Sequence, residues 1–465
     1  MRERCGVVAI SSNKNVAENI YVSLMALQHR GQEAAGMAIY NEKEKKIGNY
    51  KGLGLVEDAF KNIELEKIEG RAGIGHVYYS IKISSPENAQ PTLLHTSVGD
   101  IAIAHNGIIT NSSKIKEELM EKGHIFLYGS EEEAVAYLLA DLLIDKSLEK
   151  AVKQLMKKIS GSYSFTFMLN NRIFGLRDAL GIKPLCIGKI ENGYIIASET
   201  VAIDCLGGEV IRDVKPGELV EITPNCYKSY MLIEEKYKAH CFFEYVYFAR
   251  ADSIIDGKEV YKIREKLGEI LAREHPVDAD YVIPIPDSGR AHAYGYSKAS
   301  GIPLAEGLMK NRYIARTFIL PTQKLREKLV QIKLNPVKSI IDGKKIVLVD
   351  DSIVRGTTIR KIVNLLRNYG AKEVHVRIAS PPIIAPCYFG IDMTTRDQLI
   401  ASDRDIEEIR KEINADSLGY ISIDGLVEAI GIDRKNLCLG CITGEYPVKI
   451  EGEKYRFQEK LIKWE

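Results

Sequence analysis

The chain has 465 residues, of which 45% are hydrophobic and 27% are charged, a composition typical of globular proteins, and this length allows about two or three domains. The net charge is +1, so no overall field favours nucleic acid or an anionic membrane as a partner. We find no apolar run of about 18 residues that would span a membrane. The opening MRER leads to no signal-peptide core, so we expect a cytoplasmic protein.

The first half of the chain predicts strands mixed with amphipathic helices. Apolar residues at helical spacing predict a helix over residues 16–30, and an acidic first turn begins another over residues 131–145. Short strands are predicted over residues 164–169 and 194–197, and glycine-rich stretches such as residues 73–75 are expected to be corners between strands. The mixture favours an α+β domain over repeated βαβ winding.

Beyond about residue 237 the pattern changes. The spacing of strand, loop, helix and strand predicts a βαβ unit and therefore a parallel sheet. The predicted elements are a helix over residues 260–275, strands over 281–286 and 345–349, a helix over 358–369 and a strand over 373–379. We therefore expect an α/β domain to follow the α+β domain.

The segment IVLVDDSIVRGTT, residues 346–358, predicts a phosphate-binding loop. Asp350 and Asp351 follow a buried strand, at the end where open parallel sheets place their ligands. Gly356 permits a close backbone approach just before a helix N-terminus, which attracts anions. Adjacent carboxylates suit sugar hydroxyls or Mg²⁺. The alternative is an acidic turn followed by a threonine cap; no GK[ST] follows, so this is not a Walker loop.

Other stretches of the second half also suit an anionic substrate. PIPDSGR, residues 284–290, follows a strand end and could form a second turn that faces a pyrophosphate. The basic residues from Lys310 to Lys333 are either a solvated charged loop or a lid that closes over the substrate and excludes water.

Cys5 lies close enough to the start to become the first residue after removal of residues 1–4. Its α-amine could then act as the base that activates its thiol. AHNGIITN, residues 104–111, offers an Asn-Gly turn whose side-chain amide and backbone N–H suit an oxyanion hole. The same dipeptide also marks an ordinary hairpin turn.

These segments resemble known families. Residues 346–358 resemble the signature of type I phosphoribosyltransferases, which bind phosphoribosyl pyrophosphate (PRPP). The whole chain resembles the glutamine PRPP amidotransferases. The motifs that carry this resemblance are LQHRGQEAAGMA (27–38), NAQP (88–91), KPGE (215–218), FEYVYFARADS (243–253), KNRYIARTF (310–318), GIDM (390–393) and DSLGYISIDGL (416–426).

The resemblance implies a two-part enzyme of purine synthesis, a pentosyltransferase. A propeptide of residues 1–4 would precede an α+β N-terminal-nucleophile glutaminase of αββα layering at residues 5–236. An α/β type I phosphoribosyltransferase domain would occupy residues 237–465. Ammonia released from glutamine at Cys5 would pass through an internal channel and displace pyrophosphate from PRPP, giving 5-phosphoribosylamine, the first step of the pathway.

The resemblance also assigns site residues. In the glutaminase, Cys5 is the nucleophile, Asn106 and Gly107 form the oxyanion hole, and Arg30 supports the nucleophile's pocket. The PRPP site takes its ribose contacts from Asp350 and Asp351, its 5′-phosphate contacts from Gly356, Thr357 and Thr358, and further contacts from Ser352, Arg355, Lys310, Tyr313 and Lys333. Mg²⁺ is assigned to Ser288, Asp350 and Asp351.

The chain contains eight cysteines. Without a secretory signal, structural disulfides are not expected, and Cys186, Cys205 and Cys226 are predicted to be buried small apolar residues. Cys438 and Cys441 have the spacing of metal ligands. One subgroup of the family has a propeptide and a structural 4Fe–4S cluster, whose ligands match Cys241, Cys387, Cys438 and Cys441. Zn²⁺ in a four-thiolate site would use the same ligands, so the spacing does not separate the metals.

The glutamine pocket departs from the family pattern. In a GHxRYST-type stretch an arginine grips the α-carboxylate of glutamine, but Tyr78 stands there, followed by Ile81, Lys82 and Ile83 where the family has threonine and small residues. An aspartate that binds the α-amine is replaced by Glu131. Exchanging a bidentate guanidinium for a phenol should cost on the order of 1.5–3 kcal/mol of glutamine binding, unless Lys82 supplies a cation.

Three hypotheses follow. The chain is a working amidotransferase that holds glutamine differently, a phosphoribosyltransferase that uses free ammonia, or a regulatory paralogue with a weakened glutaminase site. The family further suggests a homotetramer and feedback inhibition by purine nucleotides.

Overall fold

The computed structural model describes residues 5–79, 85–311, 334–391, 393, 395–448 and 450. The expectations for the propeptide, for Lys82 and for Tyr313 and Lys333 lie outside these residues.

The N-terminal half contains two antiparallel sheets. Their strands are β1 (Gly6–Ser12), β2 (Ala34–Asn41), β3 (Lys46–Leu53), β4 (Ala72–Tyr78), β5 (Thr92–Thr96), β6 (Gly99–Ile109), β7 (Gly161–Leu169), β8 (Arg172–Arg177), β9 (Cys186–Ile190), β10 (Gly193–Ala197), β11 (Glu209–Asp213), β12 (Glu218–Ile222) and β13 (Tyr227–Met231). The first sheet has the order β11-β9-β10-β1-β4-β2-β3, and the second has the order β13-β12-β8-β7-β6-β5. Apolar residues of β1, such as Val7 and Ala9, pack against Ala102 and Ala104 of β6 in the layer between the sheets.

Helices cover the outer faces of both sheets. They are α1 (Ala17–Ala26), α2 (Val56–Phe60), α3 (Ser112–Glu121), α4 (Glu131–Leu143), α5 (Leu148–Lys158) and α6 (Val201–Asp204), with 3-10 turns at Leu65–Lys67 and Pro86–Asn88. Helices α1 and α6 share a core with the first sheet, and α3, α4 and α5 share one with the second. The layers are therefore αββα, as the resemblance implied.

The C-terminal half is built on a parallel sheet. The strands described in this half are β14 (His240–Cys241), β15 (Ile254–Ile255), β16 (Lys258–Glu259), β17 (Tyr281–Pro284), β18 (Leu308–Lys310), β19 (Leu334–Pro336), β20 (Lys345–Asp350), β21 (Glu373–Ile378), β22 (Ser417–Tyr420) and β23 (Leu437–Cys438). Strands β17, β20, β21 and β22 lie side by side in that order and run parallel. The predicted βαβ unit is confirmed.

Helices flank this sheet on both faces. They are α7 (Val260–Glu274), α8 (Arg290–Ser300), α9 (Lys338–Ile341), α10 (Thr357–Asn368), α11 (Ile406–Glu412), α12 (Ile423–Ile430) and α13 (Gly440–Thr443), with a π-helical turn at Glu244–Phe248 and 3-10 turns at Arg396–Gln398 and Arg434–Asn436. One core contains α7, α8 and α12, and the opposite core contains α10 and α11. No helix among the described residues is long and apolar enough to cross a membrane.

Several predicted details are wrong for reasons of packing. The helix predicted over residues 16–30 ends at Ala26, since the chain must turn before Gly31, where a Cβ would lie 2.5 Å from the backbone of β4. Gly73 and Gly75 are not corners; they lie inside β4, where a Cβ would press on Ile20 of α1 at 2.7 and 2.5 Å.

The cysteine prediction is correct for Cys186 and wrong for two others. Cys186 is buried, whereas Cys205 and Cys226 are exposed. Cys205 ends the short helix α6. Cys226 lies in the turn between β12 and β13, where its backbone N–H donates a hydrogen bond to the hydroxyl of Thr223. Neither side chain belongs to a hydrophobic core of the described residues.

Candidate active site

The first feature of the site is Cys5, at the start of β1. The residue is buried, with 4% of its surface exposed, and its backbone has a positive φ of 83°, a conformation that non-glycine residues seldom adopt. Its backbone nitrogen donates to the carbonyl oxygen of Arg30 at 3.1 Å. The nitrogen that would become an α-amine is therefore held against the turn that follows α1.

Arg30 is fully buried and forms ion pairs with two carboxylates. Its Nε donates to Glu199, and its Nη2 donates to Oε2 of Glu244 at 2.6 Å. Burial alone would raise the pKa of Glu199, but Arg30 and His29 hold it well below its usual range. Ser253 also donates to Glu199, at 2.5 Å. Charged groups from both halves thus meet beneath Cys5, and the sequence motifs did not reveal these pairs.

Asn106 and Gly107 lie inside strand β6, so the expected Asn-Gly turn is wrong. Gly107 still requires glycine, because its φ is 141° and a Cβ would collide with the carbonyl oxygen of Ser162. Asn106 is fully buried, and neither its amide oxygen nor its amide nitrogen has a hydrogen-bond partner among the described residues. A buried amide left unpaired is costly, which indicates that a ligand completes it.

Tyr78 ends strand β4 and is partly buried. Its ring lies against His76, with centroids 5.5 Å apart. Nε2 of His76 lies 3.1 Å from the carbonyl oxygen of His105, so this histidine connects the two sheets next to Asn106. Burial lowers the pKa of His76 to about 3, so the imidazole is neutral and does not replace the missing arginine charge.

Glu131 is the first residue of α4. Its Oε2 accepts the backbone N–H of Ile109 at 2.8 Å, so its carboxylate lies against β6, three residues beyond Asn106. The structure therefore places the predicted amine ligand beside the predicted oxyanion residues.

A buried ion pair that the sequence analysis missed lies behind these residues. Nδ1 of His105 is 2.8 Å from Oε1 of Glu132, and Gln90 donates to the same oxygen at 2.5 Å. Burial would lower the pKa of His105, but Glu132 and Glu131 raise it above its usual value. Burial would raise the pKa of Glu132, but His105 lowers it to about 2. The signal in the sequence was a histidine within the apolar run of β6.

The predicted phosphate loop follows β20. Ser352 Oγ donates to Oδ1 of Asp351 at 2.5 Å, and the backbone N–H of Asp351 donates to Oδ1 of Asp350 at 2.9 Å. Burial, followed by the charge of Asp351, raises the pKa of Asp350 well above its usual range. Two adjacent acids of this kind favour a cation or hydroxyl donors as a ligand.

The loop ends at Gly356, which has a φ of 74° and precedes α10. Thr357 and Thr358 form the first turn of this helix, so their backbone N–H groups face the loop. Arg355 reaches away and donates to Gln398. This geometry matches an anion site at a helix N-terminus.

A second loop lies beside the first because β17 and β20 are neighbours. The backbone N–H of Ile285 donates to the carbonyl oxygen of Val349 at 2.9 Å, and a Cβ on Gly289 would lie 2.5 Å from that oxygen. Ser288 lies in this loop, next to Asp287, which accepts from Lys310 at 2.5 Å.

A cavity of about 430 Å³ lies between the two halves and is lined by residues of both. On one side its walls are Arg30, Gly31 and Tyr79, and the carbonyl oxygen of Arg30 accepts the backbone N–H of Cys5. On the other side they are Asp287, Ser288 and Lys310 of the second loop region.

Comparison with known proteins agrees with this geometry. The sequence profile of the glutamine amidotransferase domain matches residues 76–205, and that of the phosphoribosyl transferase domain matches residues 251–379. Amidophosphoribosyltransferase of Methanocaldococcus jannaschii is 51% identical to this chain over 97% of the chain and 99% of the relative. The chain belongs to the amidophosphoribosyltransferase family.

Further members of the family support this assignment. The amidophosphoribosyltransferase of Archaeoglobus fulgidus is 47% identical over 97% of this chain and 99% of its own length. The solved structure of glutamine PRPP amidotransferase from Bacillus subtilis, complexed with ADP and GMP, is 42% identical, with a TM-score of 0.91 over 97% of this chain and 98% of that one. The predicted pair of domains, a glutamine amidotransferase and a phosphoribosyltransferase, is therefore confirmed.

This family member also contains a cavity lined by four cysteines, which are Cys241, Cys387, Cys438 and Cys441. Strands β14 and β23 pair so that Cys241 faces Cys438. The fully buried Lys183 forms part of the same wall. Within the part of the chain that the structure describes, no three His, Cys, Asp or Glu side chains converge so as to hold a single metal ion.

Proposed function

We propose that this chain forms 5-phosphoribosylamine from PRPP with ammonia released from glutamine. The observation that carries the proposal is the cavity between Arg30, beside Cys5, and Ser288, beside the phosphate loop. Ammonia that left the pocket of Cys5 past Arg30 would enter this cavity, which also borders the loop of Ser288 in the transferase half. Glutaminase residues 5–236 would follow a propeptide of residues 1–4, and residues 237–465 would be the phosphoribosyltransferase.

One paired assay tests this proposal. Phosphoribosylamine formation is measured with glutamine and, separately, with ammonium, each with PRPP and Mg²⁺. We expect product from both donors. Product from ammonium alone would contradict the use of glutamine, and no product from either donor would contradict the proposed activity itself.

In the glutaminase half, the proposed nucleophile is the thiol of Cys5, with its own α-amine as the base after removal of residues 1–4. Arg30 supports the pocket by holding that nitrogen through its carbonyl oxygen. As the amide carbonyl is attacked, its oxygen gains charge. The side-chain amide of Asn106 and the backbone N–H of Gly107 would stabilise that charge. The unpaired amide of Asn106 supports this role.

In the transferase half, Gly356, Thr357 and Thr358 would hold the 5′-phosphate at the start of α10. Asp350 and Asp351 would hold the ribose hydroxyls. The further proposed PRPP contacts are Ser352, Arg355, Lys310, Tyr313 and Lys333. Oxygen donors on Ser288, Asp350 and Asp351 suit Mg²⁺, and the raised pKa of Asp350 fits a position that a cation stabilises. Bound there, Mg²⁺ would neutralise charge on the leaving pyrophosphate.

We propose a 4Fe–4S cluster in the four-cysteine cavity. Four cysteines line that cavity together with Lys183, which suits a cluster of thiolate ligands. Burial raises the pKa of Cys241 and Cys438, while the charge of Lys183 lowers it and so favours the thiolate. Zn²⁺ in a four-thiolate site would use the same cysteines, and the resemblance to the iron–sulfur subgroup is what favours the cluster. Absorption spectra with iron, sulfide and zinc analysis of anaerobically purified protein test this: zinc without iron would contradict it.

A second function has its own support. Tyr78 and Glu131 stand where the family has arginine and aspartate, so the chain could instead use free ammonia or serve as a regulatory paralogue. The carboxylate of Glu131 already accepts a hydrogen bond from Ile109, which leaves it fewer acceptor sites for a substrate amine. The paired assay separates these hypotheses.

We also propose regulation by purine nucleotides and a homotetrameric assembly in the cytoplasm. The Bacillus subtilis relative was solved in complex with ADP and GMP. Inhibition assays with both nucleotides and sedimentation of the purified protein test these two proposals.

A further inference from the structure

We propose that Ser162 is a positioning residue through which the transferase half holds the oxyanion residues of the glutaminase half. The inference rests on the proposed glutaminase function of Asn106 and Gly107. It assigns a role in the glutamine reaction to a serine that none of the sequence motifs includes.

The evidence begins with two hydrogen bonds of one hydroxyl group. Ser162 lies in β7 and is fully buried. Its Oγ donates to the carbonyl oxygen of Phe389 at 2.8 Å and accepts the backbone N–H of Ile108 at 3.4 Å. Phe389 belongs to the C-terminal half, whereas Ile108 follows Gly107 directly. A single side chain therefore connects the transferase half to the oxyanion strand.

Close packing at Gly107 strengthens the argument. Gly107 is paired with Tyr163 across β6 and β7, and a Cβ on it would collide with the carbonyl oxygen of Ser162. In the C-terminal half, a Cβ on Gly390 would lie 3.4 Å from the Cα of Gly107. Gly107 therefore packs closely against the backbone of Ser162 and lies near the segment that follows Phe389, so a shift of either would move it.

The chemical consequence concerns the transition state. Oxyanion donors act only when they point at the position that the charged oxygen will occupy, and small misplacements cost large factors in rate. Without its hydroxyl, Ser162 would no longer fix the separation of Ile108 and Phe389, so β6 could shift relative to Cys5. Glutamine would still bind, but its carbonyl oxygen would be stabilised less well as it gained charge.

The experiment compares Ser162→Ala with Ser164→Ala. Ser164 lies on the same strand, is also fully buried, and donates to the carbonyl oxygen of Pro184 at 3.0 Å, within the glutaminase half. For Ser162→Ala we expect kcat with glutamine to fall by about tenfold or more, with the KM for glutamine and the ammonium-dependent rate unchanged. Ser164→Ala should lower stability to a similar degree without this selective loss.

Hydrogen exchange gives a readout that does not require turnover. The peptide covering residues 104–111 should exchange faster in Ser162→Ala than in the wild type or in Ser164→Ala. Equal exchange in all three proteins would overturn the proposal. So would parallel losses of the glutamine and ammonium rates, or an unchanged kcat with a lowered Tm. If the wild type lacked glutamine-dependent activity, the proposed function would fail, and the exchange result would still decide the role of Ser162.

Discussion

Arg30 and Glu244 form a buried ion pair between the two halves of the chain, with Nη2 and Oε2 2.6 Å apart. Arg30 follows the first helix, and Glu244 begins the π-helical turn of the second half. The pair therefore joins the segment that binds the backbone nitrogen of Cys5 to the transferase half, and both side chains are almost fully shielded from solvent.

Removing one partner of this pair should destabilise the protein strongly. We expect Glu244→Gln to lower the free energy of unfolding by roughly 3–5 kcal/mol, because Arg30 would keep a buried charge with one carboxylate less. The control is Glu69→Gln, which breaks an exposed pair with Lys43 and should cost about 0–1 kcal/mol. Urea unfolding measures both. Similar values for the two variants would contradict our account of the buried pair.

The unpaired amide of Asn106 predicts a loss of function without a loss of stability. Asn106→Ala should lower kcat with glutamine by about 10²–10³-fold, as expected for an oxyanion donor. Since neither amide atom has a partner among the described residues, the unfolding free energy should not fall. The ammonium-dependent rate serves as the control, and an equal fall in that rate would show that Asn106 acts elsewhere.

Tyr78 predicts that glutamine binding can be strengthened. Tyr78→Arg would restore a guanidinium that pairs with the α-carboxylate of glutamine, and the KM for glutamine should fall by about ten- to a hundredfold. Tyr78→Phe is the control, because it removes the hydroxyl without adding charge. A KM that is unchanged or higher in Tyr78→Arg would mean that another group already binds the carboxylate.

The pair of His105 and Glu132 predicts a pH window of stability. The pKa of His105 is raised, so its contribution is complete below its ordinary value of 6.5 and is lost as the pH rises through the raised value. The pKa of Glu132 is lowered to about 2, so its contribution is lost as the pH falls from 4.5 towards 2. The free energy of unfolding, measured with denaturant at a series of pH values, should depend less on pH in the double variant His105→Gln, Glu132→Gln than in the wild type. The same dependence on pH in the double variant and the wild type would contradict a stabilising ion pair.

A side chain at position 356 should weaken PRPP binding whether glutamine or ammonium supplies the nitrogen. Gly356→Ala would place a Cβ against the terminal methyl of the buried Ile400 at a φ of 74°, so the Ile400 side chain or the phosphate loop must shift, and the positive φ is strained for alanine. We expect the KM for PRPP to rise about tenfold or more with glutamine and with ammonium alike. Gly343→Ala is the matched control, since that residue has a φ of 70° but open space around it. If both variants raised the KM equally, backbone strain rather than the clash would be responsible.

The features that the sequence predicted best are local ones. The phosphate loop was correctly placed between a strand and a helix, because residues 346–358 contain the end of the strand, the glycine and the start of the helix within one segment. The grouping of the four cysteines was expected only from the family resemblance, since Cys241 and Cys441 are about 200 residues apart and no local pattern connects them.

The features that were missed depend on contacts between distant segments. Gly73 and Gly75 lie inside a strand because α1 packs directly over them. Asn106 and Gly107 also lie in a strand, because their neighbours on β7 complete the ladder. Glu132 contacts His105 only because α4 packs across β6. The secondary-structure propensities of the two segments contain no information about that contact.

The pairing of Cys241 with Cys438 across β14 and β23 also determines an order of events during synthesis. The four-cysteine cavity cannot be complete until Cys441 has been added to the chain, about 200 residues after Cys241. Any group held by all four thiols would therefore have to be inserted after that point. Completion of the cavity depends on the contact between β14 and β23, which are the first and last strands that the structure describes in the C-terminal half.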